Sequence, residues 1–266
     1  MAINRQSGNG LTYDPRQEIA IMTGGLFERD YTGAPFMLFG REHIIALILV
    51  AGICLLVYLF RGFWTEHGMK ATRWGLCALI YLCEGSWQVW MWAIGAWTIQ
   101  GMLPLWLCSV TSWTMPLLLL FRRKWYYEWV YFMGIIGASM ALLTPDLVQY
   151  GFPHFRFVEF FTLHGAIIVA IVYMTVVEGF RPTGRAIPRV VVITNLFWAF
   201  CALVNIKIGS NYLYTQGKLP TPSLLDYLGP HPTYLFWMEL IGIGLCLLLY
   251  LPFFWLDRKQ RRTGDK

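Results

Sequence analysis

The chain is 266 residues long, 57% hydrophobic and 14% charged, with a net charge of +6 and a mean hydropathy of +0.50. A soluble domain carries about a quarter charged residues, so a water-soluble globule is excluded. The apolar residues also come in runs too long for the short alternating strands of a porin-like barrel. The composition therefore predicts an all-α polytopic membrane bundle.

Residues 1–42 are mixed and polar. They hold Arg5, Arg16, Arg29 and Arg41 among Asp14, Glu18, Glu28, Asp30 and Glu42. No basic stretch followed by an apolar core marks a cleaved leader, and the segment is expected to lie on the membrane surface. Residues 43–256 form the expected bundle, with spans at roughly 43–60, 72–96, 103–121, 127–143, 156–178, 188–207 and 232–255. Each has about the 17–25 residues a crossing needs, the fourth being the shortest. Residues 257–266 form a basic tail.

Basic residues fall on every second connection: Arg61, Lys70 and Arg73, then Arg122, Arg123 and Lys124, then Arg181, Arg185 and Arg189, then the tail from Arg258. That alternation places these loops in the cytoplasm, with the N-terminus outside and the C-terminus inside, in the cell membrane. The N-terminal arginines are the exception. Short juxtamembrane clusters of this kind speak against nucleic acid as a partner. Trp and Tyr crowd the span ends, as at Trp64, Trp97, Trp125 and Trp255, in an anchoring belt.

Six cysteines all fall inside spans, with no CxxC spacing. Cys108, in LPLWLCSVTSW, differs by position. Pro104 suits the first turn of a helix, which puts Cys108 about one turn in. The positive end of a helix dipole favours the reactive thiolate there. Of five histidines, only His164 lies deep in a span, where an ionisable group is costly. Packing remains open for the cysteine, and a helix-locking hydrogen bond for the histidine. Counting from the span ends puts Cys108 about 7 Å and His164 about 12 Å below the same surface, so the two share a leaflet.

Other polar residues occupy that half: Asn205, Asn211 and Glu239, with Glu84 and Gln88 one turn apart in the second span. Interhelical hydrogen bonding or lining of a site would each explain them. Arg156 and Glu159 are three apart and suited to pair. Glu159 is about 140° around the helix from His164 and faces elsewhere. Arg156, His154 and Asp146 lie near the outer surface, where a lipid headgroup would sit. No HExxH, GxSxG, phosphate loop or metal-ligand spacing occurs, so no metal or cofactor is implied. The seventh span has no lysine for a retinal Schiff base.

The strings LLTPDLVQYGFPHFRFVEFFTLHG, VVEGFRPT, NIKIGSNYLY and SLLDYLGPHPTY resemble the YwaF-like integral membrane proteins of bacteria. These are related to the human transmembrane acyltransferase that makes polyunsaturated ether phospholipids, and are distantly similar to the androgen-induced-gene hydrolases of lipid esters. The resemblance runs from about residue 100 to 250. It implies a membrane acyltransferase acting on phospholipids or lysolipids, with Cys108 as nucleophile and His164 as its partner. A histidine of many bacterial members is Trp106 here. The more distant hydrolases use threonine, for which Thr111 or Thr114 would stand. A lipid-ester hydrolase with the same site, or a non-enzymatic transporter or receptor, are the competing expectations. No inverted repeat or paired broken span supports a transporter.

Overall fold

The computed structural model describes residues 25–218 and 224–264. Among these residues the chain forms seven α-helices: α1 Arg41–Leu59, α2 Glu66–Ala93, α3 Leu107–Phe121, α4 Lys124–Leu143, α5 Phe155–Val176, α6 Ala186–Ile208 and α7 Thr233–Gly264. No strand occurs among the described residues. Each helix matches one expected apolar run. By length and composition α1, α5, α6 and Thr233–Lys259 of α7 are able to cross a membrane. The shortest helix is α3, with 15 residues, whereas α4 has 20. The sequence reading had the fourth span shortest.

Local chemistry sets several ends. The Thr65 side chain accepts the Gly68 amide at 3.1 Å and caps α2. Gly209, at φ 66°, takes the left-handed conformation that closes α6, its amide returning to the Asn205 carbonyl. Only Arg122 and Arg123 separate α3 from α4, so the two helices turn back on one another. Arg122 adopts φ 55° there, and Glu178 holds it through its Nε at 2.7 Å.

Ion pairs and hydrogen bonds fix the up-and-down order. Glu178, just past α5, binds Arg73 near the start of α2 and Arg122 at the end of α3. Glu128 near the start of α4 binds Arg189 near the start of α6. These groups mark a basic end of the bundle. At the opposite end, His43 of α1 donates from Nε2 to the Leu142 carbonyl of α4 at 2.8 Å. Residues 25–40 also lie across that end. The Phe155 amide reaches the Leu26 carbonyl at 2.8 Å, and the Trp90 indole reaches the Phe27 carbonyl at 2.7 Å. The part of the N-terminal segment before residue 25 lies outside the described residues.

The centre of the bundle is α5, packed by α1, α2, α3 and α4. Its apolar window is 72% buried, against 11% for α1, 17% for α6 and 6% for α7. The last two helices join the rest mainly through α4, and α6 is not packed along α3.

Candidate active site

The link 101–106 determines where α3 begins. Leu105 bonds back to the Leu103 carbonyl at 2.7 Å in a tight turn around Pro104. The Leu103 amide donates to Tyr212 Oη at 2.9 Å. Trp106 packs on Tyr212 and Tyr214, each with ring centroids 5.3 Å away, and its indole reaches the Gly101 carbonyl at 3.0 Å. So pinned, the link is not helical, and Pro104 lies before the helix instead of in its first turn. Cys108 is consequently the second residue of α3, not one turn inside. Trp106 is the N-cap, and no side chain caps the helix. The first helical bond runs from Val110 to the Trp106 carbonyl, leaving the amides of Leu107, Cys108 and Ser109 without intrahelical acceptors.

Three helices converge beneath this point. The Cys108 sulfur stands 3.3 Å from where a Cβ on Gly137 of α4 would be. One turn further in, Gly134 meets Ile171 of α5 and Thr111 of α3, at 3.0 and 3.3 Å by the same measure. Small residues on α4 thus let α3 and α5 press against the same face. From this shared level Cys108 is about 4.5 Å outward along α3, and His164 about 10.5 Å outward along α5, on the stripe that carries Ile171. Both belong to the same half of the bundle.

His164 is buried. Its Nδ1 donates to the Phe160 carbonyl at 2.8 Å, and its ring packs on the Phe160 ring at 4.2 Å. That bond assigns the proton to Nδ1 and leaves the Nε2 lone pair as the acceptor. Among the described residues no hydrogen bond joins His164 to Cys108. The threonines are occupied: Thr111 Oγ1 donates to the Leu107 carbonyl at 2.8 Å, and Thr114 Oγ1 donates to Val110 while accepting from Tyr126.

Beside Cys108 lies a buried polar cluster. Glu84 of α2 accepts from Ser112 Oγ at 2.7 Å and from Gln88 at 3.2 Å, and Ser112 lies one turn along α3 from Cys108. Glu159 of α5 is also buried. It pairs with Arg156 at 2.6 Å, yet its Oε1 is buried with no partner among the described residues. The Arg156 guanidinium lies 3.7 Å from the Trp87 ring centroid and 4.9 Å from that of Phe160. Periodicity had turned Glu159 away from His164. What sequence could not supply is that Glu159 Oε1 is left buried without a partner among the described residues.

The remaining candidates fall elsewhere. Asn205 is buried and fully engaged: its amide donates to the Tyr212 carbonyl and Thr215 Oγ1, and its oxygen accepts from Ser210 Oγ and the Tyr212 amide. With all four positions used, it holds the α6–α7 connection together. Asn211 does the same for Gly217 and Gln216. Glu239 accepts from Asn195 at 2.8 Å and ties α7 to α6. His154 is the N-cap of α5, its Nδ1 accepting the Arg156 amide at 3.0 Å and its Nε2 donating to the Glu28 carbonyl at 3.1 Å. Burial lowers its pKa from the ordinary histidine value. Asp146 is exposed. The Tyr214 phenol is pushed up by burial and then by the charges of Asp146 and Cys108.

The family model described as the TMEM164 family matches residues 38–250. The chain belongs to the TMEM164 family. TMEM164 is the human transmembrane cysteine acyltransferase of ether lipids, so the relationship read from the sequence holds. It extends further than residues 100–250, taking in α1 and α2 as well. The TMEM164 match contains both Cys108 and His164, and with the apolar helices it makes this a multi-pass membrane protein. No curated protein and no solved structure matches the chain.

Proposed function

We propose that the protein is a membrane-embedded acyltransferase that carries a fatty acyl chain between phospholipids as a thioester on Cys108. The observation that carries this reading is the position of Cys108. It stands second in α3, where the first-turn amides have no side-chain cap and the helix dipole favours negative charge. Seven spans, an outer N-terminus, a cytoplasmic C-terminus and a cell-membrane location belong to the same proposal. The basic ends of α2, α3, α4 and α6 would face the cytoplasm.

In this mechanism His164 Nε2 takes the thiol proton, and the sulfur attacks the carbonyl carbon of a lipid ester. The amides of Leu107, Cys108 and Ser109 stabilise the oxyanion. As the tetrahedral centre collapses, the ester C–O bond breaks and the imidazolium returns its proton to the departing lysolipid oxygen. A hydroxyl of a second lysolipid, deprotonated by Nε2, then attacks the thioester, and the freed thiolate recovers that proton. If water is the acceptor, the same site releases a fatty acid. The backbone supplies these donors in place of a side-chain amide such as Asn205, which has no donor left.

The test is the intact mass of the purified protein incubated with a defined phospholipid, beside Cys108→Ala. An acyl-sized, hydroxylamine-labile adduct on the wild type alone is expected. Transfer activity that survives in folded Cys108→Ala and His164→Ala proteins would sink the proposal.

A further inference from the structure

At the basic end, far along α4 from Cys108, the starts of α4 and α6 frame an open cavity of about 570 Å³. It is lined by Arg123, Lys124, Trp125, Glu128, Thr183, Arg185 and Arg189. Four cations face one carboxylate there, and that carboxylate is already occupied. Glu128 binds Arg189, and its Oε1 accepts from the Thr183 amide at 3.2 Å and Thr183 Oγ1 at 2.8 Å. The effect is to pin the α5–α6 connection against α4 and fix the cavity wall. Arg123, Lys124 and Arg185 are exposed and have no carboxylate partner among the described residues.

The backbone adds to this charge. Arg123 and Arg185 are the N-caps of α4 and α6, and no side chain caps either helix. Tyr126 and Tyr127 bond back to the Arg123 carbonyl, so the Lys124 and Trp125 amides are the orphans of α4. The α4 dipole, of 20 residues, thus presents its positive end and two free amides to a cavity that also holds the four cationic side chains, whereas at α6 the Ala186 and Ile187 amides already return to the Thr183 and Gly184 carbonyls and Pro188 has no N–H. Trp125 lies at its rim, 56% exposed, as an aromatic at a membrane–water boundary does.

We propose that this cavity binds a phosphoryl anion, the headgroup of an anionic phospholipid in the leaflet at the basic end of the bundle or free phosphate of the same chemistry. Guanidinium groups and uncapped amides are the donors that fit phosphate oxygens. A zwitterionic choline headgroup would bring its own cation into a site that already has a surplus.

The experiment uses the full-length protein, delipidated in detergent. It is titrated with phosphatidic acid, with phosphatidylcholine of the same chains and with inorganic phosphate, binding being read by native mass spectrometry and thermal shift. Phosphatidic acid is expected to bind about tenfold or more tightly than phosphatidylcholine, as one lost charge-assisted contact implies. Arg123→Gln combined with Arg185→Gln should abolish that preference. Lys124→Gln should weaken it separately, and Arg61→Gln, another basic residue of the same end, should leave it intact. Displacement of phosphatidic acid by inorganic phosphate would identify a small-anion site, and binding of the lipid alone would identify a headgroup site. Equal binding of the two lipids, an unaffected double variant, or an equal loss in Arg61→Gln would overturn the proposal.

Discussion

The sulfur of Cys108 rests against the backbone of Gly137, with only 3.3 Å between it and the place a methyl group would occupy. Gly137→Ala therefore displaces the thiol by a few tenths of an ångström, and Gly137→Val displaces it further. Misplacement of a reacting atom by about 1 Å costs on the order of a hundredfold. Thioester formation should fall about tenfold in the alanine variant and below detection in the valine variant. Adduct formation over time would read this, with thermal midpoints confirming that both variants fold.

His164 makes a different prediction because Nδ1 is committed to Phe160 and only Nε2 is left to take a proton. Replacing it by Gln removes the base and should slow acylation by about 10²–10⁴. The residual rate should climb with pH, since hydroxide then ionises the thiol in place of the imidazole. A variant whose rate stayed flat with pH, or matched wild type, would argue for a structural histidine. The readout is the pH profile of adduct formation.

His154 couples the outer end to acidity. Burial lowers its pKa from the ordinary 6.5, so the folded protein prefers the neutral ring that caps α5. The unfolded chain binds the proton more readily, so this stability is fully present above pH 6.5. It is lost as pH falls from there toward the depressed folded value. Protonation puts a hydrogen on Nδ1, where the Arg156 amide now donates. The thermal midpoint should decline below pH 6.5, and His154→Asn, which keeps a capping side chain, should flatten that decline.

Asn205→Ala strips partners from the buried Tyr212 amide and Ser210 hydroxyl at once. Each unsatisfied group costs about 1–3 kcal/mol, so a loss of about 3 kcal/mol is expected in denaturant unfolding. Activity per folded molecule should hold better than in Cys108→Ala, because Asn205 braces the loop and has no donor left for substrate.

Much of this was readable from the chain because hydropathy reports lipid contact directly: every helix fell on an expected apolar run. Cys108 and His164 stood out for related reasons, one by its place near a span start, the other by ionisability inside a span. The beginning of α3 was not readable. Leu103, Pro104, Leu105 and Trp106 are as apolar as a helix, and only the Tyr212 hydrogen bond and the turn at Pro104 make them a link. Helix rotation was equally hidden. The stacking of Arg156 on Trp87 depends on how α2 and α5 face one another, and no single-helix period contains that. Asn205 looked like a site residue because a buried amide seldom announces whether its partners are substrate or chain.

The loose seam between α3 and α6 bears on how a lipid would arrive. The outer ends of these helices meet through Tyr212 and through the Cys201 contact with the Leu105 carbonyl, but they do not pack along their lengths. Leu196, Phe200 and Leu203 on α6 are exposed, whereas Trp113 of α3 packs on Tyr81 of α2. In a bilayer that exposed α6 stripe would face hydrocarbon. A phospholipid could slide its ester toward Cys108 from within its own leaflet, its tails never leaving oil, while the tyrosine-braced roof kept bulk water from the thioester.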